Sequence, residues 1–211
     1  MKYFSTRDHE KKSFDSAYVI KHGLADDGGL FIPDSVPTFT EAEIRSLCEK
    51  TYPERAAFIL SKYLTDYTYE ELLADSKDAY CENSFPGGAA PLKKLGSDLF
   101  SLELWHGPTA AFKDMALQIM PRLLSRALVK TGETNTALIL VATSGDTGKA
   151  ALEGYKDIDR IKIEVFYPVD GVSKVQKLQM ATQTGNNVKV CAIRGNFDDA
   201  QNGVKKIFSD K

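Results

Sequence analysis

Two stretches of this chain place reactive side chains where a strand hands over to a helix, the point at which open α/β sheets gather their ligands. The first, His106-Gly107-Pro108-Thr109-Ala110-Ala111-Phe112-Lys113-Asp114, follows the apolar run 99–105. The second, Thr143-Ser144-Gly145-Asp146-Thr147-Gly148-Lys149, follows the apolar run 137–142. Lys113 stands where a helix is about to begin, among Ala110, Ala111, Phe112 and Met115. Partial burial and the positive end of a helix dipole both disfavour an ammonium at such a position. A neutral amine is what Schiff-base chemistry with an aldehyde cofactor requires. The bland alternative is a surface lysine paired with Asp114, which is the commoner fate of a lysine.

The second loop brings together small residues, the hydroxyls of Ser144 and Thr147, the carboxylate of Asp146 and several backbone N–H groups at a helix start. That set suits an anion such as a substrate carboxylate. A nucleotide phosphate loop is excluded: only two residues separate Gly145 from Gly148, and Ala150 follows Lys149 where a Ser or Thr is required. A dinucleotide fingerprint fails as well, because Thr147 holds the second glycine position. An ordinary capped helix start, with Ser144 or Asp146 as the cap, uses the same residues. Lys174, Gln176, Lys177 and Gln179 can line a pocket at the start of their own helix, although a solvated face is the commoner use of such a set.

The elements that must carry these loops are legible from periodicity. Beyond residue 90, apolar runs at 99–105, 137–142, 161–167 and 188–193 read as strands. Helical patterns lie at 115–130, 147–155, 173–182 and 198–208. Strand alternating with helix predicts right-handed crossovers and a parallel sheet covered on both faces. Pro121 must kink the first of these helices or mark a later start. Before residue 90 the chain reads as mostly helical. Ser13 can cap a helix ended by Gly23, Asp27-Gly28-Gly29 is a turn before Leu30-Phe31-Ile32, and capping boxes open at Thr40 and Thr68. Pro53 fits the first turn of a helix between those boxes. Pro86-Gly87-Gly88 then breaks the chain. The expected organisation is a mostly helical domain over 1–88 followed by the first part of an α/β domain over 89–211. The chain stops at Asp210-Lys211 directly after a helix, where such a domain would return to its sheet, so the second domain is expected to be incomplete at that end.

Composition removes several function classes. With 211 residues, 43% of them hydrophobic and 27% charged, the chain can bury a core of its own and is too apolar for disorder. A formal charge of -2 gives no general field for nucleic acid or an anionic membrane. The longest wholly apolar run, Ala137–Ala142, is far short of a membrane span. No apolar stretch follows Met1 as a secretory signal would, which together with unpaired cysteines predicts a cytoplasmic protein. Cys48, Cys81 and Cys191 form no Cys-x-x-Cys pair, and His9, His22 and His106 show no ligand spacing, so no metal site is expected.

Three further segments accompany the two loops: Gly23-Leu24-Ala25 with Asp27-Gly28-Gly29-Leu30-Phe31-Ile32-Pro33, Tyr167-Pro168, and the stretch 173–180. Taken in order over essentially the whole chain, they resemble the threonine synthases, which are fold-type II pyridoxal phosphate enzymes with a tryptophan synthase β-like α/β domain. In this resemblance, Leu104 to Asp114 corresponds to the cofactor-lysine segment and Ala142 to Gly148 to the substrate loop. It implies that Lys113 binds pyridoxal 5'-phosphate covalently and then shuttles protons, that Asp146 faces the pyridoxal hydroxyl, and that Phe112 belongs to the cofactor site. Ser144, Gly145, Thr147 and Gly148 would hold the substrate carboxylate. The implied reaction is that of a lyase of threonine biosynthesis, converting O-phospho-L-homoserine and water into L-threonine and phosphate. The family's Gly/Asn-rich loop for the cofactor phosphate has no counterpart here and is expected beyond Lys211. The chain is thus expected to be an incomplete, inactive fragment whose partner is the missing C-terminal part of the enzyme. Another fold-type II lyase or synthase, or a noncatalytic metabolite-binding domain, are the alternatives.

Overall fold

The segment Leu30-Phe31-Ile32-Pro33 closes onto the start of the chain through a short ladder in the computed structural model, which describes residues 1–209. Tyr3–Ser5 (β1) runs antiparallel to a second strand, with Ser5 opposite Phe31. Phe14 is held against Tyr3 by two backbone hydrogen bonds of 2.9 Å. Phe14 therefore cannot enter the helix that Ser13 was expected to cap. The helix instead begins two residues later, as Ser16–His22 (α1), and its first turn is satisfied from a distance: the Ala17 N–H donates to Asp66 Oδ2 at 2.8 Å. Gly23, at φ 70°, ends it as expected. The partner strand is Phe31–Pro33 (β2). Within the turn that precedes it, Asp27 accepts hydrogen bonds from Ser5 Oγ at 2.7 Å and from the Gly29 N–H at 2.8 Å. These two bonds hold the Asp27 carboxyl below its usual range. A side chain at Gly29 would collide with Ser5 Oγ, which explains the second glycine of that turn.

Three helices follow: Glu41–Cys48 (α2), Tyr52–Tyr63 (α3) and Tyr69–Ala79 (α4). α2 and α4 open on reciprocal capping boxes, Thr40/Glu43 and Thr68/Glu71, in which each threonine hydroxyl takes the third N–H of its helix, while before α3 the Thr51 N–H and hydroxyl both donate to Glu54, at 2.8 and 2.6 Å. Glu43 also accepts from Lys62 at 2.6 Å, and Lys62 with Thr40 holds its carboxyl down at about 2. These elements, with Arg122–Thr134, form one compact unit over Met1–Cys81 and that later segment. The later segment is tied in by a forked pair from Arg126 to Asp75, at 2.8 and 2.6 Å, and by Tyr67, whose hydroxyl donates to the Leu123 carbonyl at 3.0 Å. Ala57, Leu72, Ala79 and Ala127 are fully enclosed in this core.

The second unit comprises Glu82–Pro121 and Asn135–Lys211. Its division from the first thus differs from the 1–88 and 89–211 partition in where it places 82–88 and Arg122–Thr134. Asp210 and Lys211, counted in the predicted second domain, lie outside the described residues. The unit opens with an antiparallel hairpin of Leu92–Lys94 (β3) and Phe100–Leu102 (β4), Leu92 opposite Leu102. This corrects the expectation that the run 99–105 belongs to the parallel sheet: a short turn separates the two strands, and a connection that short allows only antiparallel pairing. The predicted helix 115–130 is also divided, into Asp114–Leu117 (α5) and Met120–Lys130 (α6). Pro121 falls in the first turn of α6, where its missing N–H leaves no hydrogen bond unmade.

Two crossovers, followed by a last helix, then build the sheet: Ala137–Ala142 (β5), Asp146–Tyr155 (α7), Ile161–Pro168 (β6), Lys174–Ala181 (α8), Val188–Ile193 (β7) and Phe197–Ser209 (α9). The strand order is β5-β6-β7 and both pairings are parallel. On β6, Ile161, Ile163, Val165 and Tyr167 are buried, and α7 covers this face, with Gly148 against Val165. The opposite face, carrying Phe166, lies under α9. Only the central strand is covered as the solid apolar runs suggested. On β5, Leu138 remains 53% exposed.

Candidate active site

The loop after β5 is folded around one hydroxyl. Thr143 ends the strand with its N–H on the Phe166 carbonyl at 3.0 Å and is 2% exposed. Its Oγ1 accepts from the Gly145 N–H at 3.0 Å and the Gly148 N–H at 2.9 Å, and donates to the Gly145 carbonyl at 3.2 Å. That exhausts what a threonine hydroxyl can do. Gly145 takes φ 156° and ψ −102° as the cap of α7. At Gly148 a Cβ would strike Thr143 Cγ2 and lie 2.9 Å from Val165 Cγ1, so α7 can sit this close to the sheet only with glycine there.

This arrangement sorts the predicted site residues into two sets. Gly145 and Gly148 are buried, and their N–H groups, expected to face an anion, turn inward onto Thr143. Ser144, Asp146 and Thr147 are exposed, and the N–H groups of Asp146 and Thr147 make no backbone bond among the described residues. As the first two amides of α7 they have no intrahelical partner and sit at its positive end. Asp146 Oδ1 accepts from Gln176 Nε2 at 2.9 Å. Deeper along α7, Lys149 donates to Glu153 at 3.1 Å and to Gln183, while Gln183 Nε2 donates to Glu153 at 3.0 Å. Burial raises the Glu153 carboxyl, but those two donors outweigh it and hold the group below its usual range.

The lysine loop is organised by its last residue. Asp114 is fully buried and accepts from the Thr109 N–H at 2.8 Å and from Thr109 Oγ1 at 2.7 Å. Gly107 packs directly on it, since a Cβ there would lie 2.5 Å from Asp114 Oδ2. Between them, Ala110 is forced to φ 56°, a left-handed conformation uncommon without glycine. With Asp114 turned inward, the expected alternative of a Lys113–Asp114 surface pair does not form. Lys113, half-buried at the start of α5, has no carboxylate within ion-pair distance among the described residues. Its Nζ lies 4.7 Å from the centroid of the Phe112 ring, which is 63% exposed. Upstream, His106 Nε2 and Glu103 Oε2 are 2.8 Å apart.

The helices that carry the two loops touch through their backbones. A Cβ on Gly154, in α7, would run into the Leu117 carbonyl oxygen and lie 2.8 Å from its carbon, in α5. Thr143, Asp114 and Gly154 shape the site, yet local sequence offers Asp114 only as a surface partner for Lys113 and marks neither Thr143 nor Gly154. Composition does not distinguish a buried Thr or Asp from an exposed one, and Gly154 lies inside a helical pattern with no turn signal. The apolar groove of about 220 Å³ under α9, lined by Phe166, Ile193, Ala200 and Val204, contains no residue of either loop.

The family profile described as Threonine synthase N terminus matches residues 2–80. Threonine synthase of Pseudomonas aeruginosa is 40% identical over 215 residues, covering 100% of this chain and 44% of the relative. Among solved structures, PLP-bound threonine synthase from Brucella melitensis superposes with a TM-score of 0.90 at 39% identity, covering 100% of this chain and 45% of that one. The yeast threonine synthase does so with a TM-score of 0.91 at 34% identity, covering 100% and 44%. The chain thus spans less than half the length of these relatives. Its architecture is that of the fold-type II pyridoxal phosphate class. Within that class it corresponds, along its whole length, to the N-terminal part of the threonine synthases.

Proposed function

We propose that this chain supplies the cofactor lysine and the substrate loop of a threonine synthase, a pyridoxal phosphate-dependent lyase that converts O-phospho-L-homoserine and water into L-threonine and phosphate. The observation that carries this reading is Lys113: a half-buried amine without a carboxylate partner among the described residues, beside an exposed aromatic ring, on a loop locked by Asp114. An amine with no ion-pair partner beside an aromatic wall fits an aldehyde cofactor. Pyridoxal phosphate, when bound, supplies the electron sink for the reaction. Lys113 Nζ holds the cofactor and moves protons to and from the substrate carbons. Asp146, aimed by Gln176, faces the pyridoxal hydroxyl, and Phe112 gives the cofactor an apolar neighbour. The Ser144 and Thr147 hydroxyls, with the amides at the start of α7, hold the substrate carboxylate, while Gly145 and Gly148 shape the loop that presents them. We assign the anchor of the cofactor phosphate to the part of the relatives that this chain does not match, and place the enzyme in the cytoplasm among those of amino-acid biosynthesis. Nucleic acid has no part in this reading.

A chimera tests it. With residues 1–211 replacing the matched part of the Pseudomonas aeruginosa relative, phosphate should be released from O-phospho-L-homoserine. Lys113→Ala in that chimera should slow the release by about 10²- to 10⁴-fold, the weight of a positioned proton-transfer group. A chimera that folds and binds pyridoxal phosphate but releases no phosphate contradicts the reading.

A further inference from the structure

Gln176 does two jobs at once. Its Oε1 accepts from the Ser173 N–H at 3.2 Å while the Gln176 N–H donates to Ser173 Oγ at 3.2 Å, the reciprocal box that starts α8. That bond fixes which way the amide points, and leaves Nε2 to donate to Asp146 Oδ1 at 2.9 Å. The same side chain lies flat over Gly145: a Cβ built there would meet Gln176 Nε2 and sit 2.5 Å from its Cδ and 2.9 Å from its Oε1. Lys174, Val175, Lys177 and Leu178 around it are exposed, whereas Gln176 is half-buried against this loop. Asp146 itself receives no other side-chain hydrogen bond among the described residues, and Gly145, its neighbour, has no side chain to cap α7.

We propose that Gln176 is a positioning residue for the candidate active site, a strut from the start of α8 that fixes the Asp146 carboxylate and closes the 143–148 loop over Gly145. This rests on the cofactor reading above only for the role of Asp146. A glutamine is needed because one group must accept on one side and donate on the other. A glutamate serves the Ser173 box equally well and suits a helix N-terminus, but presents a like charge to Asp146.

Gln176→Glu therefore separates the two jobs. By differential scanning calorimetry the variant should melt as the wild type does. In hydrogen exchange read by mass spectrometry, the peptide holding Gly145 and Gly148 should exchange roughly tenfold faster, about the effect of losing one hydrogen bond to a charged group. Pyridoxal phosphate titrated against the fluorescence of Trp105, the one tryptophan, should bind the chain roughly tenfold more weakly for the same reason. Asp146→Asn added to Gln176→Glu restores a donor facing an acceptor and should return loop exchange toward the wild-type rate. Unchanged exchange in Gln176→Glu overturns the proposal, and faster exchange with unchanged cofactor binding overturns its link to the site. If the wild-type chain gives no binding signal, cofactor binding needs the part of the relatives that this chain does not match, and the exchange comparison alone decides the role of Gln176.

Discussion

Gly154→Ala is expected to destabilise the second unit by about 3 kcal/mol, at the upper end of what overpacking a core does. The added methyl meets the Leu117 carbonyl oxygen and carbon, which are backbone atoms, so no rotamer change can make room. Relief requires α5 and α7 to separate, and these two helices carry Lys113 and Asp146 at their starts. The substitution should therefore lower the thermal midpoint by roughly 2–4 °C for each kcal/mol in a chain of this size, and should also weaken cofactor binding. Gly203→Ala in α9 is the matching control: nothing lies within 4 Å of its added Cβ. There the better helix propensity of alanine should raise stability by about 0.5–1 kcal/mol. Equal midpoints for the Gly154 and Gly203 variants would contradict the close approach.

Asp114→Ala is expected to be nearly as damaging. It removes the fully buried carboxylate that accepts from the Thr109 N–H and hydroxyl, and leaving these part-buried donors without their acceptor costs about 2 kcal/mol. The left-handed turn at Ala110 also loses the group that holds it closed. Asp114→Asn keeps one acceptor oxygen and should fall between the alanine variant and the wild type in urea denaturation. An asparagine variant as stable as the wild type would show that the carboxylate does not organise the loop.

What the sequence discloses about this site follows from which signals are local. The capping boxes at Thr40 and Thr68, the glycine stop at Gly23 and the three parallel strands are written in contiguous residues, and each forms where expected. The strand at Tyr3–Ser5 is too short to alternate, and the helix start at Ser13 is overridden by pairing of Phe14 with Tyr3, a contact across eleven positions. The run 99–105 looks like any other apolar strand, because pairing partner and direction depend on the turn before it. The two reactive loops are visible because lysine, serine, aspartate and glycine cluster there. Their supports are not, since Thr143 and Asp114 gain meaning only once they are buried and Gly154 only once another backbone lies against it.

Lys113 is the amine that, on the function proposed above, this chain offers to an aldehyde cofactor. Reduction of the native chain with borohydride in the presence of pyridoxal phosphate, followed by peptide mapping, tests it most directly. The structure predicts one pyridoxyl group per chain on the peptide containing Lys113, lost in Lys113→Ala and in the denatured protein. Label scattered over the exposed lysines, with Lys113 no more modified than the others, would contradict it.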